Sequence, residues 1–181
     1  MMQLILGGAR SGKSRLAEQS VLSLCQVHEK PVYLATGAAG DDEMQSRIAK
    51  HRHDRADQWR TVEEPVQLAR ALANLLDDNS WVLVDCLTLW ISNCLHAGCW
   101  PQQRDLLLLE IDRQLALGNT PSWVFVSNEV GSGVVPLGQL SREFVDASGW
   151  LHQALAERCN QVTLVVAGLP MSLKGEPIGS R

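Results

Sequence analysis

A basic run is missing from this 181-residue chain, and its net charge is −4. Binding to a polyanion needs concentrated positive charge, so nucleic acid is excluded as the main partner. No C-x-x-C pair occurs among the five cysteines, Cys25, Cys86, Cys94, Cys99 and Cys159. Their spacing matches no zinc framework. An odd number of cysteines with no secretion signal fits reduced thiols in the cytosol. Buried structural cysteine is also the commoner case than a catalytic one. No apolar stretch approaches the roughly 20 residues needed to cross a bilayer. Repeats, low-complexity tracts and linkers are absent as well, so residues 1–181 are expected to form one domain. The polar tail over 171–181 is expected to be loose at its end.

What is present is an alternation of short apolar runs with longer helical patterns. Strands are expected at Gln3–Leu6, Pro31–Thr36, Trp59–Val62, Trp81–Asp85, Trp123–Ser127 and, last, Thr163–Ala167. Helices are expected at Gly12–Leu24, Asp41–Asp54, Val66–Leu76, Cys86–Leu95, Gln102–Leu117 and Ser141–Cys159. In the first of them Leu16, Ala17, Val21 and Leu24 fall near one face. Apolar strands without polar alternation are buried on both sides, as parallel strands are. An α/β fold follows, a mostly parallel sheet with helices on both faces.

Gly7-Gly8-Ala9-Arg10-Ser11-Gly12-Lys13-Ser14 reads G-x-x-x-x-G-K-S directly after the apolar run Leu4-Ile5-Leu6. The glycines let successive backbone N–H groups converge on an anion, and the helix that follows adds the positive end of its dipole. Lys13 reaches the β and γ phosphates of a nucleoside triphosphate, and the Ser14 hydroxyl ligates Mg²⁺. The N-terminus runs straight into this P-loop, which leaves no room for a signal peptide, so a cytoplasmic protein is expected. The fold expected is therefore that of a P-loop NTPase, RecA-like. A second carboxylate should complete the metal site. Asp85, at the carboxyl end of the apolar run Trp81-Val-Leu-Val, has that form; the plainer reading is the N-cap of the next helix.

A P-loop alone leaves kinase, ATPase, GTPase and motor open. No N-K-x-D guanine motif is present, which counts against a Ras-like switch. Other segments narrow the choice: ATG at Ala35–Gly37, RIAKHRHDR at Arg47–Arg55, WRTVEEP at Trp59–Pro65, DCLTLWISN at Asp85–Asn93 and NEVGSGVVP at Asn128–Pro136. In this order, with GGARSGKS, the set resembles the bifunctional adenosylcobinamide kinase / adenosylcobinamide-phosphate guanylyltransferases of cobalamin biosynthesis. The resemblance runs from Met1 to about Leu173.

The resemblance implies two reactions. ATP or GTP phosphorylates the aminopropanol hydroxyl of adenosylcobinamide. GTP then gives GMP to that phosphate through a GMP-histidine intermediate. The family pattern, a histidine before a basic residue with an Arg further on, matches His51-Arg52-His53-Asp54-Arg55 and points to His51 as nucleophile. His53 is the local rival. Cationic neighbours on both sides would keep the His51 imidazole neutral and nucleophilic. Arg52 and Arg55 would pair with triphosphate oxygens, and family members bind nucleotide through this stretch, His53 and Asp54 included. Nucleotide contacts are also implied at Thr36, Gly37, Ala38 and Glu63. The family's trimers imply a homo-oligomer. A plain small-molecule kinase, which needs no nucleophilic histidine, is the alternative. For Asn128 and Glu129, substrate binding and plain loop architecture stand level.

Overall fold

The computed structural model describes residues 1–25, 30–37, 58–76 and 80–176. Seven strands form one sheet: β1 (Met2–Gly7), β2 (Val32–Ala35), β3 (Arg60–Glu63), β4 (Val82–Asp85), β5 (Trp123–Asn128), β6 (Gln161–Val166) and β7 (Leu169–Lys174). Five helices are described: α1 (Lys13–Leu24), α2 (Leu68–Asn74), α3 (Leu87–His96), α4 (Trp100–Ala116) and α5 (Gln139–Arg158). The sheet order is β3-β2-β4-β5-β1-β6-β7, parallel throughout except for β7. β5 therefore separates β1 from β4, as in RecA-like NTPases.

Alternate residues of the central strands face opposite layers. Leu4, Val82, Val84, Trp123 and Phe125 join the core beneath α2, α3, α4 and α5, with Trp90 fully buried at its centre. Ile5, Leu83, Val124 and Val126 join the second core, where Ala17 and Val21 of α1 pack. The α1 stripe is narrower than the sequence implies: Leu24 is 40% exposed, and buried Lys13 and Ser20 take places on the inner face. Helix pairing at 13, 17, 20 and 21 follows the i, i+4, i+7, i+8 spacing.

The expected last strand is not the last. After β6 the chain turns through Ala167 (φ 51°) and Gly168 (φ 81°) and returns antiparallel as β7. Two successive residues at positive φ form the tight hairpin that matches strand twist. Residues 171–174 of the expected loose tail are thus in the sheet. Pro170 is tolerated there because β7 is an edge strand. The helix expected over Asp41–Asp54 falls outside the described residues.

Candidate functional site

β1 delivers the P-loop at its carboxyl end. The loop closes through the Gly8 carbonyl, which accepts from Ser11 N at 3.3 Å and from Lys13 Nζ at 3.1 Å. Gly12 sits at φ 94°, a conformation that costs a glycine little. Gly7 has no room for more: a Cβ there would come within 2.7 Å of the Val165 carbonyl oxygen. The β6–β7 turn braces the loop, with Gly168 N donating to Ser11 O at 2.9 Å.

Two features suit this loop to an anion. The Ser11 Oγ is buried with no hydrogen-bond partner among the described residues. An orphaned hydroxyl is costly unless a ligand completes it. The first turn of α1 carries no acidic residue, although carboxylates favour that position; Lys13 and Arg15 occupy it instead. Lys13 is largely buried (8% exposed), and its ammonium rests on a loop carbonyl that a phosphate oxygen can replace.

Asp85 ends β4 on the same carboxyl edge, in register with Ala35 of β2 and Val126 of β5. The Tyr33 hydroxyl donates to Asp85 Oδ2 at 2.7 Å. Oδ1 is left without a partner among the described residues. The plain helix-cap reading fails, because the N-cap of α3 is Cys86 and it makes no side-chain cap bond. The P-loop at the end of β1 and Asp85 at the end of β4 share the carboxyl edge of the sheet, with β5 between them. Burial first, then Asp85, hold the Cys86 thiol above its ordinary value, so Cys86 remains protonated and inert. Residues that suit Mg²⁺ are thus present: the Asp85 carboxylate and the Ser14 hydroxyl, a small donor set of the kind this ion accepts.

Thr36 directly follows the last residue of β2. It is fully buried, and its hydroxyl donates to Cys86 O at 2.7 Å and accepts from Cys86 N at 2.9 Å. It clamps the ends of β2 and β4. Gly37 follows it at the edge. Glu63, exposed at the end of β3, pairs in register with Ala35 and so shares this edge with Asp85. Ala38, His51, Arg52, His53, Asp54 and Arg55 lie outside the described residues.

β5 brings up the third group. Its last residue, Asn128, is in register with Gly7, and Glu129 N donates to Gly7 O at 3.0 Å. The Glu129 carboxylate accepts from Gly131 N at 2.8 Å and Ser132 N at 3.3 Å. Burial alone would raise its carboxyl, but bonds from Ser132 and Gly131 outweigh that and hold it below the ordinary value. Beneath, His152 Nε2 meets the buried Ser127 Oγ at 2.7 Å. Burial pushes His152 down to about 4, against the pull of Glu129, so its ring is neutral at physiological pH. Sequence reasoning missed both Tyr33 and His152. The available signal for His152 was its place four residues after buried Ser148, on the inner stripe of α5.

A P-loop on β1, a carboxylate on β4 and a strand between them define a nucleotide-binding P-loop protein of RecA-like fold. The flagellar accessory protein FlaH from Methanocaldococcus jannaschii has the same fold, with a TM-score of 0.52 at 11% identity over 97% of this chain and 78% of that one. The family described as cobinamide kinase / cobinamide phosphate guanyltransferase matches residues 3–173, and the chain belongs to it. It is 53% identical to the bifunctional adenosylcobalamin biosynthesis protein CobP of Pseudomonas aeruginosa, over 98% of this chain and 100% of that protein. It is 39% identical to the bifunctional adenosylcobalamin biosynthesis protein CobU of Escherichia coli, over 96% and 100% respectively. No helix among the described residues is long and apolar enough to cross a membrane.

Proposed function

We propose that this protein phosphorylates adenosylcobinamide with ATP or GTP and then transfers GMP from GTP to the resulting phosphate, giving adenosylcobinamide-GDP and pyrophosphate. The observation that carries this reading is the P-loop, with its orphaned Ser11 hydroxyl and parked Lys13, facing Asp85 on one edge of the sheet. In the first reaction the acceptor hydroxyl oxygen bonds to the γ-phosphorus and the bond to the β–γ bridging oxygen breaks. Lys13 and the α1 N-terminus offset charge on the phosphates as they separate. Ser14 and Asp85 Oδ1 would hold Mg²⁺, and Tyr33 orients that carboxylate. The ion, when bound, supplies charge neutralisation at the phosphates.

In the second reaction the His51 imidazole attacks the α-phosphorus of GTP and pyrophosphate leaves. An oxygen of the substrate phosphate then displaces the imidazole from the phosphoramidate. Arg52, Arg55 and Glu63 would hold the nucleotide. The free cysteines suit the cytoplasm, and a homotrimer is the assembly we assign. The test is incubation with α-³²P-GTP and Mg²⁺ followed by denaturing electrophoresis. An acid-labile, alkali-stable label that His51→Ala abolishes, while phosphorylation of cobinamide survives, is the expected result. A label lost in His53→Ala and kept in His51→Ala moves the nucleophile. No label, with GTP bound, reduces the protein to a plain kinase.

A further inference from the structure

A cleft of about 530 Å³ opens between α3, the loop after β5 and the start of α5. Its walls are mainly apolar side chains, among them Leu89, Leu95, Val130, Pro136 and Phe144. That volume lies within the range of small-molecule sites, roughly 300–1,000 Å³. The position of the cleft matters more than its size. Asn128 lines it, and the same residue pairs in register with Gly7, the first residue of the P-loop. Thr88, also lining it, stands three residues after Asp85 and accepts from Asn128 Nδ2 at 3.0 Å. The cleft thus meets the phosphate site at the tips of β4 and β5. Another cavity, of about 590 Å³, is lined by Ser80, Ser122 and Trp123 at the opposite ends of those strands and has no such continuity.

A triphosphate is a poor occupant for an apolar cleft that places no Lys or Arg on its walls. The second substrate has the complementary chemistry. A corrinoid presents apolar ring edges and peripheral amides, and it must bring one hydroxyl to the γ-phosphorus. Asn128 Oδ1, free of hydrogen bonds among the described residues, and the Ser92 and Ser141 hydroxyls on the walls suit those polar groups. Val134 (96% exposed) and Leu137 (98% exposed) extend the apolar surface along the loop at the cleft, matching a ligand larger than the cleft itself. We propose that the α3–α5 cleft is the acceptor subsite, holding one edge of the corrinoid and aiming its hydroxyl across Asn128 at the P-loop.

This rests on the cobinamide reading above, and the experiment separates the two. Cobinamide binding is followed by equilibrium dialysis through its own visible absorption, with GTP binding measured on the same samples. Ser141→Trp fills the cleft from an exposed position, and Leu140→Asp, in the first turn of α5, places charge on its rim. The expected result is GTP affinity within about twofold of wild type and cobinamide affinity lowered by about tenfold or more in either variant. Leu140→Asp keeps the test open if Ser141→Trp fails to fold, because a first-turn carboxylate favours the helix. Unchanged cobinamide affinity in a variant that binds GTP overturns the subsite. A wild-type protein that binds GTP and no cobinamide overturns the substrate reading and the subsite with it.

Discussion

At the scale of single residues, Lys13 has the largest expected effect. Lys13→Ala removes phosphate neutralisation common to both reactions, so cobinamide phosphorylation and GMP transfer should each fall at least about 100-fold. Paired assays with γ-labelled ATP and α-labelled GTP check this; loss of one activity alone would separate the two nucleotide sites. Tyr33 is a quieter case. Its hydroxyl holds Asp85 Oδ2 at 2.7 Å, and partners that orient a metal ligand commonly change metal affinity by about 10–100-fold. Tyr33→Phe should therefore raise the Mg²⁺ concentration giving half-maximal kinase rate about tenfold and leave the rate at saturating Mg²⁺ near wild type. A maximal rate that fell with no change in Mg²⁺ requirement would assign Tyr33 to something other than the metal.

At the scale of elements, the P-loop is held by its neighbours as much as by its own sequence. Gly7 lies against the Val165 carbonyl of β6, so Gly7→Ala forces β1 and β6 apart. A loss of about 2 kcal/mol in urea unfolding is expected, in the range of overpacked cores. The motif itself was plain in the sequence because its chemistry is local: eight consecutive residues carry it. The parallel strands were plain for a similar reason, since Val82-Leu-Val and Val124-Phe-Val have no polar alternation to mislead. β7 was not. Ala167-Gly168 is a weak hairpin signal beside Asn-Gly, Pro170 argues against a strand, and every residue of β7 is exposed. The pairing of the Thr36 hydroxyl with Cys86 was hidden because the two residues lie far apart in sequence. Periodicity cannot show such long-range polar bonds, and the Tyr33–Asp85 contact was hidden for the same reason.

At the scale of the whole molecule, buried His152 makes stability depend on pH. Its folded value is about 4 against 6.5 for the free side chain. Below pH 6.5 the unfolded chain takes up a proton that the folded chain refuses until about pH 4. Stability from this group is therefore full above pH 6.5, falls between 6.5 and 4, and changes no further below. The span amounts to about 3 kcal/mol at 1.36 kcal/mol per pH unit. Urea titrations at pH 7 and pH 4.5 should show the wild type losing about 2 kcal/mol more than His152→Gln, which can keep the bond to Ser127 without titrating. Equal losses in both proteins would remove His152 as the cause.

The antiparallel seventh strand has a practical consequence for handling the enzyme. β7 carries the chain from the turn beside Ser11 back to Lys174, in register with Val162 at the start of β6. Glu176 therefore lies near the sheet edge remote from the P-loop, where its carbonyl accepts from Gln161 Nε2 at 3.1 Å. A tether attached after Glu176 leaves the molecule anchored by its back, with the catalytic edge turned toward bulk solvent. Immobilised this way on a sensor surface, the protein should exchange nucleotide as freely as it does in solution.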